Sequence, residues 1–197
     1  METIILNVPP TLALTNEQFY DLCMANEEWR IELTAEGELI IMSPTGGESG
    51  IRNSNLNIEV GLWNRQTQLG FVFDSSTIFI LPNGSQRGPD VSWVSRERWE
   101  ALSPENRRRF PPLCPDFIIE LRSESDSLSQ LQAKMREYIA NGLRLGWLID
   151  PKTPLVEIYR SNGDVERITF SPNTPPNLSG ESVLPGFILN LATILNV

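Results

Sequence analysis

The sequence predicts an α/β fold in which a mixed, mostly central sheet is flanked by helices. Helical and strand-like segments alternate along the chain in the order α-β-β-α-β-β-β-(α)-β-α-β-β-β. Phe117–Arg122 opens on a continuous apolar run, the pattern of a strand covered on both faces. The strongest helical segment follows it, Asp126–Asn141, capped by Ser125 or Asp126 and stopped by Gly142. With 197 residues and no internal repeat or low-complexity block, a single domain over residues 1–197 is expected.

From the N-terminus, Thr15 and Gln18 have capping-box spacing, and Phe19, Leu22 and Cys23 recur at helical intervals, predicting a helix over about 15–27. Short strands follow at Trp29–Leu33 and Glu38–Met42, joined by a turn at Glu36-Gly37. The loop Thr45–Gly50 opens a second helix with Leu56, Val60 and Trp63 on one face. It lacks the GK[ST] ending of a P-loop and reads as ordinary helix entry. Strands at Gly70–Asp74, Thr77–Leu81 and Asp90–Val94 are punctuated by a turn at Pro82-Asn83-Gly84. Arg96–Leu102 reads as a short helix. Ser103–Pro115, with four prolines and Arg107-Arg108-Arg109, reads as a surface loop, either simply solvated or touching a substrate backbone. After the helix at 126–141, strands are expected at Leu145–Ile149, Leu155–Arg160 and Val165–Phe170. A turn-rich tail then leads to the apolar segment Phe187–Leu195.

Composition narrows the chemistry. Apolar residues make up 40% of the chain, with 5 Trp and 8 Phe, enough for a packed core. No apolar run approaches the roughly 20 residues of a membrane span. Residues 1–10 carry Glu2 and no long apolar stretch, so no signal peptide is expected, and the cytoplasm is the default location. Cys23 and Cys114 lack metal-site spacing and read as buried small apolar residues. The chain has no histidine. That excludes Ser-His-Asp and Cys-His catalysis and HExxH metalloproteases, leaving carboxylates, lysine, tyrosine or metal-bound water for acid–base work. A net charge of −9 opposes simple attraction of phosphates, so a nucleic-acid function would need metal ions and a local basic patch.

Glu120 interrupts the apolar run Phe117-Ile118-Ile119, where an ionised carboxylate costs several kcal/mol unless it is paired or ligates a cation. Arg122, two residues on and on the same face, offers a simple ion pair. Asp90 begins the strand Asp90–Val94 after Gly88-Pro89. If the two strands are neighbours, Asp90 and Glu120 repel each other, and a hard divalent cation, Mg²⁺ or Mn²⁺, resolves the repulsion. In the helix 126–141 the apolar stripe is Leu128, Leu131, Met135, Tyr138 and Ile139, with Lys134 on its flank. Lys134 is either an ordinary surface lysine or a cation whose stem bends inward to the strand end. Glu137 falls nearly opposite the stripe and should be solvated.

Pro89-Asp90, Glu120-x-Arg122 and the helical Lys134 resemble the PD-(D/E)XK nuclease motif, in the version whose lysine sits on the following helix. More closely, Glu32-Leu33 to Gly37-Glu38, Gly88–Val94, Pro115–Ser123 and Lys134 to Asp150 resemble the Uma-two family of restriction endonucleases, over about residues 12–160. The resemblance implies a restriction-endonuclease-like fold and DNA as substrate. It implies Asp90 and Glu120 as ligands of Mg²⁺ or Mn²⁺ and Lys134 as the residue that polarises phosphate or water. Glu32 matches an acidic position of the family and is a third metal-ligand candidate. Two departures stand out. The histidine that many members carry at the start of the second helix is absent, with Glu48 to Asn53 in that region. Arg122 stands where the parent motif has lysine, which gives Lys134 and Arg122 competing claims on one catalytic role.

The expected function is therefore a metal-dependent DNA endonuclease, and a symmetric dimer would suit cutting both strands. Two other readings stay open: a catalytically silent binding or regulatory domain on the same fold, and a two-carboxylate glycosidase, which Lys134 beside the pair disfavours.

Overall fold

The computed structural model describes residues 4–196. Thirteen strands and six helices are present among them: β1 (Ile4–Asn7), α1 (Asn16–Met24), β2 (Arg30–Leu33), β3 (Glu38–Met42), α2 (Gly47–Thr67), β4 (Gly70–Asp74), β5 (Phe79–Ile80), β6 (Gln86–Arg87), β7 (Val91–Ser95), α3 (Arg96–Glu100), α4 (Pro104–Arg108), β8 (Phe117–Leu121), α5 (Leu128–Ala140), β9 (Leu145–Asp150), β10 (Leu155–Arg160), β11 (Val165–Thr169), β12 (Asn177–Ser179), β13 (Ile188–Asn190) and α6 (Ala192–Leu195). None of these helices is long and apolar enough to cross a membrane.

The larger sheet has the order β11-β10-β9-β8-β7-β4. Its neighbours run antiparallel except β8 and β9, which are parallel and joined across one face by α5. That crossover is what a parallel pair requires. β8 lies inside the sheet with every residue buried, as its unbroken apolar start predicts. One face of the sheet packs Trp93, Phe117, Ile119 and Trp147 against Leu56, Val60 and Trp63 of α2 and against Phe187 and Ile194 from the C-terminal segment. The other packs Ile118 and Leu148 against Met135 and Tyr138 of α5. The smaller sheet, β1-β3-β2-β6-β5, is covered by Phe19 and Cys23 of α1. Cys23 and Cys114 are both free and buried.

Departures from the sequence reading fall where a segment is too short for a period to show. β6 is two residues long and exists because β2 and β5 flank it. The stretch 103–115 is not all surface loop. Ser103 caps Asn106 N with Pro104 in the first turn, the ordinary chemistry of a helix start, and α4 results. Leu113 and Cys114, further along, are buried. In the tail, β12 and β13 pair as a two-stranded ribbon, and α6 follows.

Candidate active site

The register of β7 on β8 pairs Val91 with Ile119 and Ser92 with Ile118, so Asp90, one residue before β7, stands across from Glu120. A hydrogen bond fixes it there: Leu121 N donates to Asp90 Oδ2 at 2.8 Å. Both side chains emerge on the face covered by α5. Asn53 of α2 donates through Nδ2 to Asp90 Oδ1 at 3.3 Å, while its own Oδ1 is buried without a partner among the described residues.

Lys134 reaches this pair from α5. Its Nζ lies 2.8 Å from Glu120 Oε1 and 2.8 Å from Glu32 Oε1. The stem descends beside the apolar stripe, and the ammonium is drawn in by two buried carboxylates. One turn on, the Tyr138 hydroxyl donates to the same Glu120 Oε1 at 3.3 Å. Glu32, on β2 of the smaller sheet, has both oxygens engaged. Oε1 accepts from Lys134 and from Gly88 N at 2.9 Å, and Oε2 pairs with Arg87 at 3.2 Å. Arg87 turns its Nε to Glu137 Oε2 at 2.6 Å. Glu137, expected in solvent, is thus drawn into the network because β6 and the turn before it lie over this face of α5, where Asn83 also donates to it.

Arg122 goes elsewhere. β8 ends at Leu121, and the Arg122 guanidinium pairs with Asp150 Oδ2 at 2.6 Å and donates to Asp126 O at 3.1 Å. The ion pair that the sequence offers between Glu120 and Arg122 is replaced by one between Glu120 and Lys134.

The electrostatics follow from this packing. Burial pushes the Glu120 carboxyl up to about 7, with Asp90 and Glu32 adding repulsion and Lys134 opposing both. Burial also holds Asp90 above the usual carboxylate range against the pull of Leu121 N. Glu32 is equally enclosed, yet Lys134, Arg87 and Gly88 N hold it below that range. Burial would neutralise Lys134, but Glu120 and Glu32 keep it above the usual lysine range, firmly charged. Asp90, Glu120 and Lys134 line a cavity of about 360 Å³ whose rim includes Arg30, Ser49 and Asn53. Among the described residues no three acidic, cysteine or histidine groups converge in a metal-holding arrangement.

The structure therefore brings Asp90, Glu120, Lys134 and Glu32 together and leaves Arg122 outside. Sequence reasoning missed Arg87, Asn53 and Arg30. Arg30 had a signal, since it lies two residues before Glu32 and so on the same face of β2. Arg87 and Asn53 come from a short strand and a helix flank whose partners are remote in sequence.

A comparison with curated proteins gives no match. Among solved structures, the chain is similar to a crystal structure described as that of a "putative nuclease" from Anabaena variabilis. The two share 18% identity with a TM-score of 0.73 over 86% of this chain and 91% of that one, a likeness of fold. The family profile described as Uma2, "Putative restriction endonuclease", matches residues 16–192, and the chain belongs to that family.

Proposed function

We propose that this chain is a metal-dependent deoxyribonuclease that hydrolyses phosphodiester bonds at Asp90, Glu120 and Lys134. The observation that carries the reading is the charged Lys134 ammonium held 2.8 Å from Glu120, with Asp90 across from it, at the wall of one cavity. The family's description supports nucleic acid as the substrate, and DNA is the kind this reading takes.

The donor set suits a small hard cation. Asp90 and Glu120 are both enclosed, and Asp90 raises the proton affinity of Glu120, a repulsion that a divalent ion relieves. Mg²⁺ is commonly held by one or two carboxylates together with waters and substrate phosphate, so a pair suffices. The unpartnered Asn53 Oδ1 beside Asp90 adds a neutral oxygen. Bound there, Mg²⁺ or Mn²⁺ would polarise a phosphoryl oxygen and acidify a water. The chain's own residues do the rest. Lys134 offers its ammonium where charge builds on the phosphate, and Glu32 keeps that ammonium charged and aimed. Tyr138 fixes the Glu120 carboxylate. Two copies related by symmetry, meeting DNA in the cytoplasm, would cut both strands.

The test is cleavage of plasmid DNA by the purified protein. Slow cutting with Mn²⁺ or Mg²⁺, none with EDTA, and none by folded Asp90→Asn are expected, with added monovalent salt weakening the reaction. Cutting that survives both EDTA and Asp90→Asn would overturn the assignment. The net charge of −9 favours a second reading, a nuclease fold kept for binding or regulation, and ion binding without turnover would identify it.

A further inference from the structure

The cavity at Asp90 and Glu120 is the middle of a longer cleft. A second cavity of about 420 Å³ shares Arg30, Asn53 and Asp90 with it and runs past Asn57 and Ile58 of α2 to Asp74. A third, of about 470 Å³, adjoins it at Gly46, Ser49 and Glu124.

An anionic strand lying in this cleft needs cations, and most of those present are already committed. Lys134 is held by Glu120 and Glu32, Arg52 by Glu48, Arg122 by Asp150 and Lys152 by Glu124. Among the described residues lining the cleft, Arg30 is the cation whose guanidinium has neither an ion pair nor a hydrogen bond, and its field acts on Asp90. It is half-buried at the seam between the first and second cavities, on the same face of β2 as Glu32.

The geometry points to Arg30 as a phosphate-contact residue, gripping the phosphate next to the scissile one, so that the strand enters along α2 past Asn57 and Ile58. The inference rests on the nuclease reading for the identity of the anion. A planar guanidinium matches two non-bridging oxygens at once, which an ammonium cannot do. A purely local role, keeping Asp90 ionised, would affect every substrate alike; a flanking-phosphate role grows with substrate length.

The experiment compares wild type, Arg30→Ala and Arg30→Lys on bis(p-nitrophenyl) phosphate, which has no flanking phosphate, and on an oligonucleotide. Arg30→Ala should lose more on the oligonucleotide than on the small diester by roughly tenfold or more in kcat/KM, the size of one charged hydrogen bond, and mainly through KM. Arg30→Lys should recover part of that loss. Equal losses on both substrates, or none, overturn the assignment. Should the wild type cut neither substrate, the nuclease reading fails on its own, and oligonucleotide affinity measured by fluorescence anisotropy in EDTA decides the role of Arg30. A similar drop in Arg30→Ala, with the salt slope reduced by about one phosphate contact, upholds it, and unchanged affinity overturns it.

Discussion

Replacing Glu120 by glutamine is expected to stabilise the metal-free protein above neutral pH. The Glu120 carboxyl is pushed from an ordinary value of 4.5 up to about 7 in the folded chain, first by burial and then by Asp90 and Glu32. The folded state therefore binds an extra proton between those values. Stability must fall as pH rises through that window, and the loss is complete above it. At about 1.4 kcal/mol per pH unit, the whole effect is on the order of 3 kcal/mol. That figure already includes the attraction of Lys134, because the raised value is what remains after it. Glutamine imitates the protonated carboxyl and still accepts from Lys134 and Tyr138. Urea denaturation of both proteins in EDTA should give similar stabilities near pH 4.5 and a variant more stable by about 3 kcal/mol near pH 8.5, or about 6–12 °C in Tm for a chain of this size. A variant less stable than its parent at both pH values, by the same amount, would refute the reasoning. It would mean that the ion pair with Lys134 outweighs the cost of burying Glu120.

Three further substitutions probe the site and the fold around it. Lys134→Ala should lower kcat by roughly 10²- to 10³-fold, as loss of one charge-stabilising donor does, measured by single-turnover cleavage. Arg122→Ala should act on the fold, costing about 3 kcal/mol in urea by leaving the buried Asp150 carboxylate without its cation. Gly70→Ala should destabilise by about 1–3 kcal/mol or more, because a methyl there would press on the Val94 carbonyl and come within 2.6 Å of the Trp93 ring; the thermal midpoint reads it.

The long elements were legible because each carries its own signal. Thr15 and Gln18 do form the capping box of α1, and the Phe117 run is the buried strand β8. Glu120 could be singled out because a carboxylate in such a run demands a partner. What the sequence could not name was the partner. Same-face spacing offered Arg122, but spacing holds only while the strand lasts, and β8 stops at Leu121, before the arginine. Glu32, a third ligand candidate from its family position, lies beside Lys134, and its oxygens accept from Lys134, Gly88 N and Arg87. The arginine arrives from a two-residue strand that no period reveals. The angle of Glu137 on the helix points to solvent, but that angle says nothing of the β5–β6 turn lying over the same face. Local pattern thus reaches the residues on their elements, and the pairing between elements decides their roles.

On the proposed reading, Asp90 and Glu120 together hold one divalent ion beside Lys134. Crystals soaked in manganese chloride test it most directly, through an anomalous difference map. A single strong peak between the Asp90 and Glu120 carboxylates, lost in Asp90→Asn, is the predicted result. No peak there, or a peak elsewhere that leaves the Lys134–Glu120 ion pair as it stands at 2.8 Å, would contradict it.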